Sequence, residues 1–224
     1  TNFDEMNLKD ELTRGIYNYG YERPSEIQCR GILPIVSGRD VIGQAQSGMG
    51  KTATYSIGTL QVINHKLRET QAIILANTRE LAAQTESVIS NLGKYMNIQV
   101  CLAVSGIPVK NNIDSLKMRP HVVVGTPGRI YDMIRRKAIR TNCIKILVID
   151  EADEMIKKTN DRHIDEEVPP KFGFLDQLKS IFQFLPNDVQ VALFSATMPP
   201  DFFELSSHIM RNPIQILVEP EKLS

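Results

Sequence analysis

Short apolar runs separated by amphipathic stretches repeat along the chain. The runs are rich in Val, Ile and Leu and are continuously apolar, which is typical of strands buried on both faces of a sheet. In the longer segments between most of them, apolar residues recur at helical spacing. The pattern predicts strands at 40–44, 72–76, 100–104, 121–125, 145–150, 189–194 and 214–218. It predicts helices over 52–67, 79–95 and 201–210.

Strands that alternate with helices favour an α/β fold, with a mostly parallel central sheet and helices on both faces. The 224 residues would suffice for one large domain or two small ones. No internal repeat or low-complexity linker divides the sequence, so we expect a single domain over residues 1–224. The sequence begins with Thr1 rather than Met, and we expect it to be an excised fragment.

Composition narrows the classes of function. Lys plus Arg and Asp plus Glu both number 26, so any nucleic-acid binding must come from a local patch rather than from the net charge. Cys29, Cys101 and Cys143 fit neither a metal spacing nor a disulfide framework, which favours a reducing, intracellular compartment. No apolar run approaches the roughly 18 residues of a membrane span, and no signal peptide opens the sequence.

The stretch QAQSGMGKT at 44–52 lies between a predicted strand and a predicted helix, as a phosphate-binding loop requires. Gly48 and Gly50 let the backbone turn its amides inward, and the helix N-terminus adds positive potential. Lys51 can reach the β- and γ-phosphates of a nucleotide, and the Thr52 hydroxyl can bind Mg²⁺. The alternative is a Gly-containing turn followed by a solvated lysine.

Acidic residues emerge from the end of another predicted strand, in KILVIDEADEM at 145–155. In open α/β sheets the ligand crevice lies at the carboxyl ends of the strands. There Asp150 can hold Mg²⁺, partly through water, and Glu151 can orient and deprotonate an attacking water. A helix N-terminus favours acids in any case, which is the alternative interpretation.

Six motifs occur in the order found in the DEAD-box RNA helicases, and the chain resembles that family over nearly its whole length. The motifs are YERPSEIQ (21–28), AQSGMGKT (45–52), NTRELA (77–82), TPGR (126–129), DEAD (150–153) and SAT (195–197). Within the family, the sequence is most similar to the translation-initiation branch and its exon-junction relatives. The resemblance implies a RecA-like P-loop fold and an enzyme that couples ATP binding and hydrolysis, with Mg²⁺, to the unwinding or remodelling of RNA duplexes.

The resemblance also implies an ATP site that extends from residue 21 into the helix after the loop. Gln28 would pair with the donor and acceptor edge of adenine, and Tyr21 would stack on the base. Arg23 and Ser25 would support that motif, which the 1–28 region carries. The expected ATP-binding residues are Tyr21, Arg23, Ser25, Gln28, Ala45, Gln46, Ser47, Gly48, Met49, Gly50, Lys51 and Thr52. Catalysis is assigned to Lys51, Asp150 and Glu151.

Two further groups carry the expected link to RNA. Asp153, Ser195 and Thr197 would couple the ATP site to RNA binding, although Ser and Thr at a strand end also cap ordinary turns. The expected RNA-binding residues are Thr78, Arg79, Gly106, Thr126, Pro127, Gly128 and Arg129. Hydroxyls, glycine or helix N-terminal amides and arginines grip phosphate and sugar, so the binding would be independent of base sequence. TPGR alone would equally suit a Pro-Gly turn that starts a helix.

Several residues depart from the family pattern. Met49 stands in place of the usual Thr of the loop, and Asn77 stands in place of Pro. The paired glycines of the family become Gly106-Ile107, which bears on close approach of RNA at that loop. After the DEAD motif, residues 157–172 are polar and include Pro169-Pro170, so we predict an exposed loop with no metal role for His163.

The remaining expectations concern partners. A second RecA-like domain of the parent protein would bring an arginine finger and half of the RNA groove, so the fragment alone should hydrolyse ATP poorly. We expect a monomeric fragment, translation-initiation scaffold proteins as partners, no membrane, and a cytoplasmic location, or a nuclear one for the exon-junction type. An ATP-gated RNA clamp with little turnover is the alternative function. A signalling GTPase would need an Asn-Lys-x-Asp base-reading motif, which the sequence lacks.

Overall fold

The computed structural model describes residues 2–160 and 173–220 of the chain. The strands are β1 (Val41–Gln44), β2 (Ala72–Leu75), β3 (Val100–Ala103), β4 (Val122–Gly125), β5 (Ile146–Ile149), β6 (Gln190–Ser195) and β7 (Ile214–Leu217). The α-helices are α1 (Asp10–Tyr19), α2 (Glu26–Val36), α3 (Lys51–Val62), α4 (Arg79–Leu92), α5 (Val109–Lys117), α6 (Pro127–Arg135), α7 (Ala152–Asn160), α8 (Phe174–Gln183) and α9 (Pro200–Ile209). Short 3₁₀ helices cover Asp4–Met6 and Lys94–Met96.

Within these residues, the seven strands form one sheet in the order β3-β4-β2-β5-β6-β1-β7. Every neighbouring pair is parallel. The strands are four to six residues long, and the five inner strands are almost entirely buried because helices cover both of their faces. The edge strands β3 and β7 are only partly buried. The predicted α/β class is confirmed, and the sheet is parallel throughout.

Alternate residues of β1 to β6 pack in two separate apolar clusters, one on each face of the sheet. On β2, Ile74 packs in the cluster that holds α1 to α4, whereas Ile73 and Leu75 pack in the cluster that holds α5 to α9. On β5, Val148 and Leu147 divide in the same way. The sheet therefore stands between two helical layers, as the continuous apolar runs predicted.

The predicted helix over 52–67 extends too far. α3 ends at Val62, because Ile63 turns into an extended conformation. The Lys9 ammonium donates to the carbonyls of Leu60 and Ile63 at 3.2 and 2.6 Å, which satisfies acceptors that the last turn leaves unpaired. This lysine is 51 residues away in sequence from the first of those carbonyls, so local periodicity could not reveal the stop.

Three other boundaries also differ from the prediction. The segment 79–95 divides into α4 and a separate 3₁₀ turn, with Gly93 as the C-cap of α4. The segment 201–210 is helical from Pro200 to Ile209. The predicted loop at 157–172 begins too early, because α7 continues through Asn160, where Lys157 pairs with Glu154 at 3.0 Å. The rest of that loop, with His163, lies outside the described residues.

Strand order brings the motif-bearing loops to one edge of the sheet. The loops after β1, β5 and β6 carry the phosphate-loop, DEAD and SAT motifs, and these three strands are neighbours. The loops after β2, β3 and β4 carry the NTRELA motif, Gly106 and the TPGR motif, and these strands are also neighbours. The two sets meet where β5 pairs with β2. The fold therefore sorts the expected ATP and RNA residues into adjoining halves of one edge.

Buried His121, just before β4, gives a testable pH dependence of stability. Its Nδ1 accepts from the Gln99 amide at 3.0 Å, so the ring proton is on Nε2, which donates to the His65 carbonyl at 3.0 Å. Burial lowers the pKa of His121, and the nearby charges of Arg68 and His65 act in the same direction, against the hydrogen bond to His65. Above pH 6.5, the usual pKa, the residue is neutral in both states; below it, the unfolded chain binds the proton more readily.

We therefore expect the free energy of unfolding to fall as the pH drops from 7 to 5. Denaturant titrations of wild type and His121→Asn should show a shallower pH dependence in the variant, because asparagine retains an acceptor but does not titrate. The exposed His208 provides the control, since His208→Asn should leave the wild-type slope intact. Parallel curves for wild type and His121→Asn would contradict the assignment.

Candidate functional site

The loop between β1 and α3 makes its turn through two glycines in the left-handed region. Gly48 has a φ of 83° and Gly50 a φ of 90°, and Lys51 is the first residue of α3. A Cβ at Gly50 would lie 2.7 Å from both Gln28 Nε2 and Ser25 Oγ. Glycine is needed there for its backbone conformation and for the close approach of α2. Ala45 is buried at the end of β1, whereas Gln46 and Ser47 are exposed.

The start of α2 holds this loop from the side. Ser25 is the N-cap of α2, and its backbone amide donates to Gln28 Oε1 at 2.9 Å. Ser25 Oγ donates to the Met49 carbonyl at 3.2 Å, and Gln28 Nε2 approaches the Gly50 carbonyl at 3.5 Å. Ser25 and Gln28, at the start of α2, therefore contact two consecutive carbonyls of the loop that precedes α3.

A cleft of about 470 Å³ opens between this helix start and the loop. Its lining includes Tyr21, Arg23, Ser25, Glu26, Ile27, Gln28, Gly48, Met49, Gly50, Val218 and Glu219. Tyr21 is half-buried and stacks on Tyr19, with ring centroids 5.1 Å apart and planes 10° apart. The residues expected to bind a base therefore surround one open space, and the Tyr19 ring stacks on that of Tyr21.

Asp150 follows β5 and is buried, with contacts to both carboxylate oxygens. Its Oδ1 lies 3.4 Å from Lys51 Nζ and accepts from the Glu151 amide at 2.8 Å. Its Oδ2 accepts from the Tyr55 hydroxyl at 2.8 Å. Burial raises the pKa of Tyr55 well above its usual value, and the Asp150 charge adds to the shift, so the phenol keeps its proton. The expected phosphate-binding lysine and Mg²⁺-binding carboxylate are thus already paired.

Glu151 has a φ of 52°, a left-handed conformation that is costly for a residue with a side chain. It borders a second cleft, of about 330 Å³. The lining of this cleft is Ser47, Lys51, Asn77, Glu151, Asp153, Glu154 and Ala196. Loop residues therefore line both clefts, with the expected base-binding residues around one and Glu151, the carboxylate expected to act on water, at the other.

Asp153, in the first turn of α7, binds the SAT segment. Its Oδ2 accepts from the Thr197 hydroxyl at 2.9 Å and from the Thr197 amide at 3.1 Å. Ser195 Oγ donates to the Thr197 carbonyl at 2.6 Å. Burial acts to raise the pKa of Asp153, but hydrogen bonds, chiefly that from the Thr197 hydroxyl, outweigh it and the pKa is lowered. Asp153 Oδ1 is buried and has no partner among the described residues.

The predicted residues after β2 and β3 contact each other. Thr78 is the N-cap of α4, and its hydroxyl accepts from the Leu81 amide at 3.1 Å. Arg79 is exposed, and its guanidinium lies against Gly106, where a Cβ would be 2.9 Å from Cζ. Gly106 has a φ of 96°, so this position favours glycine on both grounds.

The TPGR segment starts α6, with Thr126 as N-cap and Pro127 as the first helical residue. Gly128 is exposed, and Thr126 and Pro127 are half-buried. Arg129 Nη1 donates to the Ile107 carbonyl and to Asn112 Oδ1, both at 2.7 Å. Arg129 therefore holds the loop after β3 in place, a structural contact that its motif did not predict.

The residues present fit a magnesium nucleotide. Mg²⁺ prefers oxygen ligands and usually binds through one or two carboxylates together with substrate phosphates. Asp150, directly after β5, provides a carboxylate, and Thr52, at the start of α3, provides a hydroxyl. Backbone amides and Lys51 at that helix start can meet phosphates. The described residues contain no cluster of three His, Cys, Asp or Glu side chains suited to a metal ion. Those same residues include no helix with the length and apolarity that a membrane span requires.

Sequence reasoning missed several residues of the site. Tyr19 and Tyr55 carry no motif of their own, and only the contacts with Tyr21 and Asp150 reveal them. Thr85 also escaped notice, and its hydroxyl lies 3.1 Å from that of Tyr55. A tyrosine on an otherwise buried helix face was the available signal, because a buried hydroxyl requires a partner.

A sequence profile of the DEAD/DEAH box helicases matches residues 25–205 of the chain. The chain belongs to the DEAD/DEAH box helicase family. The match begins at Ser25 and ends at Leu205, so it includes both clefts' loop residues and all of the strands from β1 to β6.

Curated relatives and solved structures agree with this membership. The chain is 53% identical to eukaryotic initiation factor 4A of Drosophila melanogaster, over 100% of the chain and 52% of that protein. It is 50% identical to the ATP-dependent RNA helicase eIF4A of Schizosaccharomyces pombe, over 99% of the chain and 53% of that protein. The chain therefore spans about half the length of these relatives.

Two solved structures are similar in fold. A DEAD box protein from the hyperthermophile Methanococcus jannaschii superposes with a TM-score of 0.87 at 33% identity, over 97% of the chain and 56% of that protein. Dbp5 of S. cerevisiae, bound to RNA and ADP BeF3, superposes with a TM-score of 0.80 at 38% identity, over 97% of the chain and 52% of that protein.

Met49, the residue that departs from the usual loop pattern, gives a prediction. It is half-buried and packs against the apolar cluster of α1 to α4, while its carbonyl accepts from Ser25. The backbone amides, rather than this side chain, are expected to hold phosphate. Met49→Thr should therefore change ADP affinity by less than about tenfold, or ~1.4 kcal/mol, in calorimetric titrations.

Gly50→Ala is the contrasting variant for that measurement. Its methyl group would meet Gln28 and Ser25, so it should weaken ADP binding far more than Met49→Thr does. A gain of more than tenfold on Met49→Thr would show instead that the methionine side chain holds the loop shut.

Proposed function

We propose that the chain is the N-terminal RecA-like domain of an ATP-dependent RNA helicase that acts in translation initiation. The carrying observation is the meeting of Lys51, Asp150 and Glu151 beside a loop that Gln28 and Ser25 contact from the other side. Relatives named as initiation factor 4A, matched over the whole chain, favour the translation-initiation role over an RNA clamp.

Gln28 would read the base. Its amide has capacity beyond its contacts with Ser25 and Gly50, because a carboxamide accepts two hydrogen bonds at oxygen and donates two at nitrogen. The bond from the Ser25 amide orients Oε1, so the carbonyl and NH₂ groups are assigned without ambiguity. Adenine offers a donor beside an acceptor and would match both ends, with Tyr21 stacked on the ring and Arg23 at the rim of the cleft.

Lys51, with the loop residues Ala45 to Gly50, would hold the phosphates. Its ammonium would exchange the Asp150 carboxylate for the β- and γ-phosphates, which releases Asp150 Oδ1 for a new partner. Mg²⁺, held by Thr52 and by Asp150 partly through water, would neutralise charge that develops on the phosphates. Glu151 borders the second cleft, where its carboxylate would orient the attacking water and take its proton.

Asp153, Thr197 and Ser195 would connect this cleft to RNA binding. The orphaned Asp153 Oδ1 leaves one acceptor for a partner that arrives with substrate or with another domain. RNA would lie along Thr78, Arg79, Gly106 and the TPGR segment. N-terminal amides of α4 and α6, hydroxyls and exposed Arg79 suit phosphate and sugar, so binding would not depend on base sequence.

The parent protein would contribute the remainder of the machinery. We propose that residues 1–224 form one domain, that 1–28 carry the base-reading motif, and that a second RecA-like domain closes over ATP and RNA. An arginine finger is worth roughly 10³–10⁵ in rate, so the domain alone would be nearly inactive. We also propose that the domain alone is monomeric. Translation-initiation scaffold proteins as partners and a cytoplasmic location belong to the same proposal.

The function is tested on the full-length protein by RNA-stimulated ATP hydrolysis and duplex unwinding. Wild type should turn over many times. Glu151→Gln should retain Mg·ATP binding but lose about 10²–10⁴-fold in hydrolysis, because an amide cannot accept the proton of water. Asp150→Asn is the matched variant and should weaken Mg²⁺ binding itself. RNA held by ATP without turnover in wild type would favour the clamp, and normal turnover in Glu151→Gln would remove its proposed role.

Base selection is tested by comparing ADP with GDP in calorimetric titrations. Wild type should bind ADP more tightly by about tenfold or more, because guanine presents a carbonyl where adenine presents its amine and leaves Gln28 mismatched. Gln28→Glu keeps an acceptor for the Ser25 amide but loses the donor, so the preference should disappear. Gln183→Glu makes the same change at an exposed site on α8 and should retain it. Equal ADP and GDP affinities in wild type would rule out this role.

A further inference from the structure

Tyr55 is a fully buried side chain on α3, one helical turn after Lys51 and Thr52. Its ring packs beside Phe194 of β6, with centroids 5.4 Å apart. Its hydroxyl is enclosed in the protein and lies 2.8 Å from Asp150 Oδ2 and 3.1 Å from Thr85 Oγ1. Tyr55 thus connects the helix after the loop, the carboxylate after β5 and α4.

The direction of these hydrogen bonds follows from the chemistry of the three groups. An ionised carboxylate only accepts, and Asp150 lies beside the Lys51 ammonium and accepts the Glu151 amide at Oδ1. The Tyr55 proton therefore goes to Asp150 Oδ2, and the Thr85 hydroxyl donates to the Tyr55 oxygen. The result is a series of two hydrogen bonds, in which Thr85 donates to Tyr55 and Tyr55 donates to the Asp150 carboxylate.

Packing alone does not explain the hydroxyl. A phenylalanine would fill the same space beside Phe194 without burying a polar group, and an unpaired buried hydroxyl costs on the order of 1–3 kcal/mol. The partners at 2.8 and 3.1 Å are what make tyrosine suitable. The Tyr55 hydroxyl is thus a fixed hydrogen-bond donor to Oδ2 of Asp150, whereas Lys51 lies beside Oδ1.

We propose that Tyr55 is a positioning residue that holds the Asp150 carboxylate in the orientation needed to bind the magnesium of a nucleotide. This inference rests on the proposed function. When Lys51 turns to the phosphates, Asp150 loses its ion pair, and Tyr55 remains to fix Oδ2 while Oδ1 faces the cation. Groups that orient a metal ligand in this way typically contribute 10–100-fold to metal affinity. Thr85 fixes the Tyr55 hydroxyl in turn.

The test is the gain in ADP affinity that Mg²⁺ provides, measured by calorimetry on the full-length protein with EDTA and with saturating Mg²⁺. Tyr55→Phe should reduce this gain by about tenfold or more while leaving the affinity for metal-free ADP within about twofold of wild type. Thr85→Val should reduce the gain by a smaller factor. In an Asp150→Asn background, Tyr55→Phe should cause no further loss.

Phe194→Leu is the packing control. It disturbs the same contact without touching a hydroxyl, so it should lower thermal stability and leave the Mg²⁺ gain unchanged. A wild-type Mg²⁺ gain in Tyr55→Phe, or an equal loss of ADP affinity with and without Mg²⁺, overturns the inference while the proposed function stands. If wild type itself gains nothing from Mg²⁺, the proposed function fails and the inference fails with it. Should Tyr55→Phe not fold, Thr85→Val decides by the same readout.

Discussion

The buried ion pair between Lys51 and Asp150 is the interaction on which the functional edge of the sheet depends. Moving each charge out of water costs several kcal/mol, and only close partners offset that cost. Lys51 has the carboxylate, while Asp150 also has the Glu151 amide and the Tyr55 hydroxyl. The pair joins the start of α3 to the end of β5 across the intervening β6.

A second set of contacts balances this pair from the opposite side of the loop. Ser25 and Gln28 bind the Met49 and Gly50 carbonyls, so the loop is held between α2 and the ion pair. A nucleotide that binds both Gln28 and Lys51 would change both sets of contacts at the same time. In the proposed function, base and phosphate recognition would therefore be linked through the loop, because the carbonyls that Ser25 and Gln28 contact belong to the two residues directly before Lys51.

The sequence predicted those features that depend on local pattern. Buried parallel strands are continuously apolar, so their number and positions could be predicted, and the ends of β1, β5 and β6 indicated where phosphate and acids would meet. Contacts distant in sequence could not be predicted. The C-terminal end of α3 depends on Lys9, and the position of the Arg129 side chain depends on Asn112. The proposed role of Tyr55 depends on Asp150. Each of these is a side chain whose partner is set by the fold rather than by spacing.

Because Glu151 has a left-handed backbone, the residue type that would best stabilise this position differs from the one that the proposed chemistry requires. Glycine would adopt a φ of 52° with less strain, whereas a glutamate there costs on the order of 1–2 kcal/mol. Stability alone would therefore not select a carboxylate at this position. The domain accepts a local loss of stability at a residue that borders the cleft next to Lys51, and backbone strain of this kind clusters at functional sites.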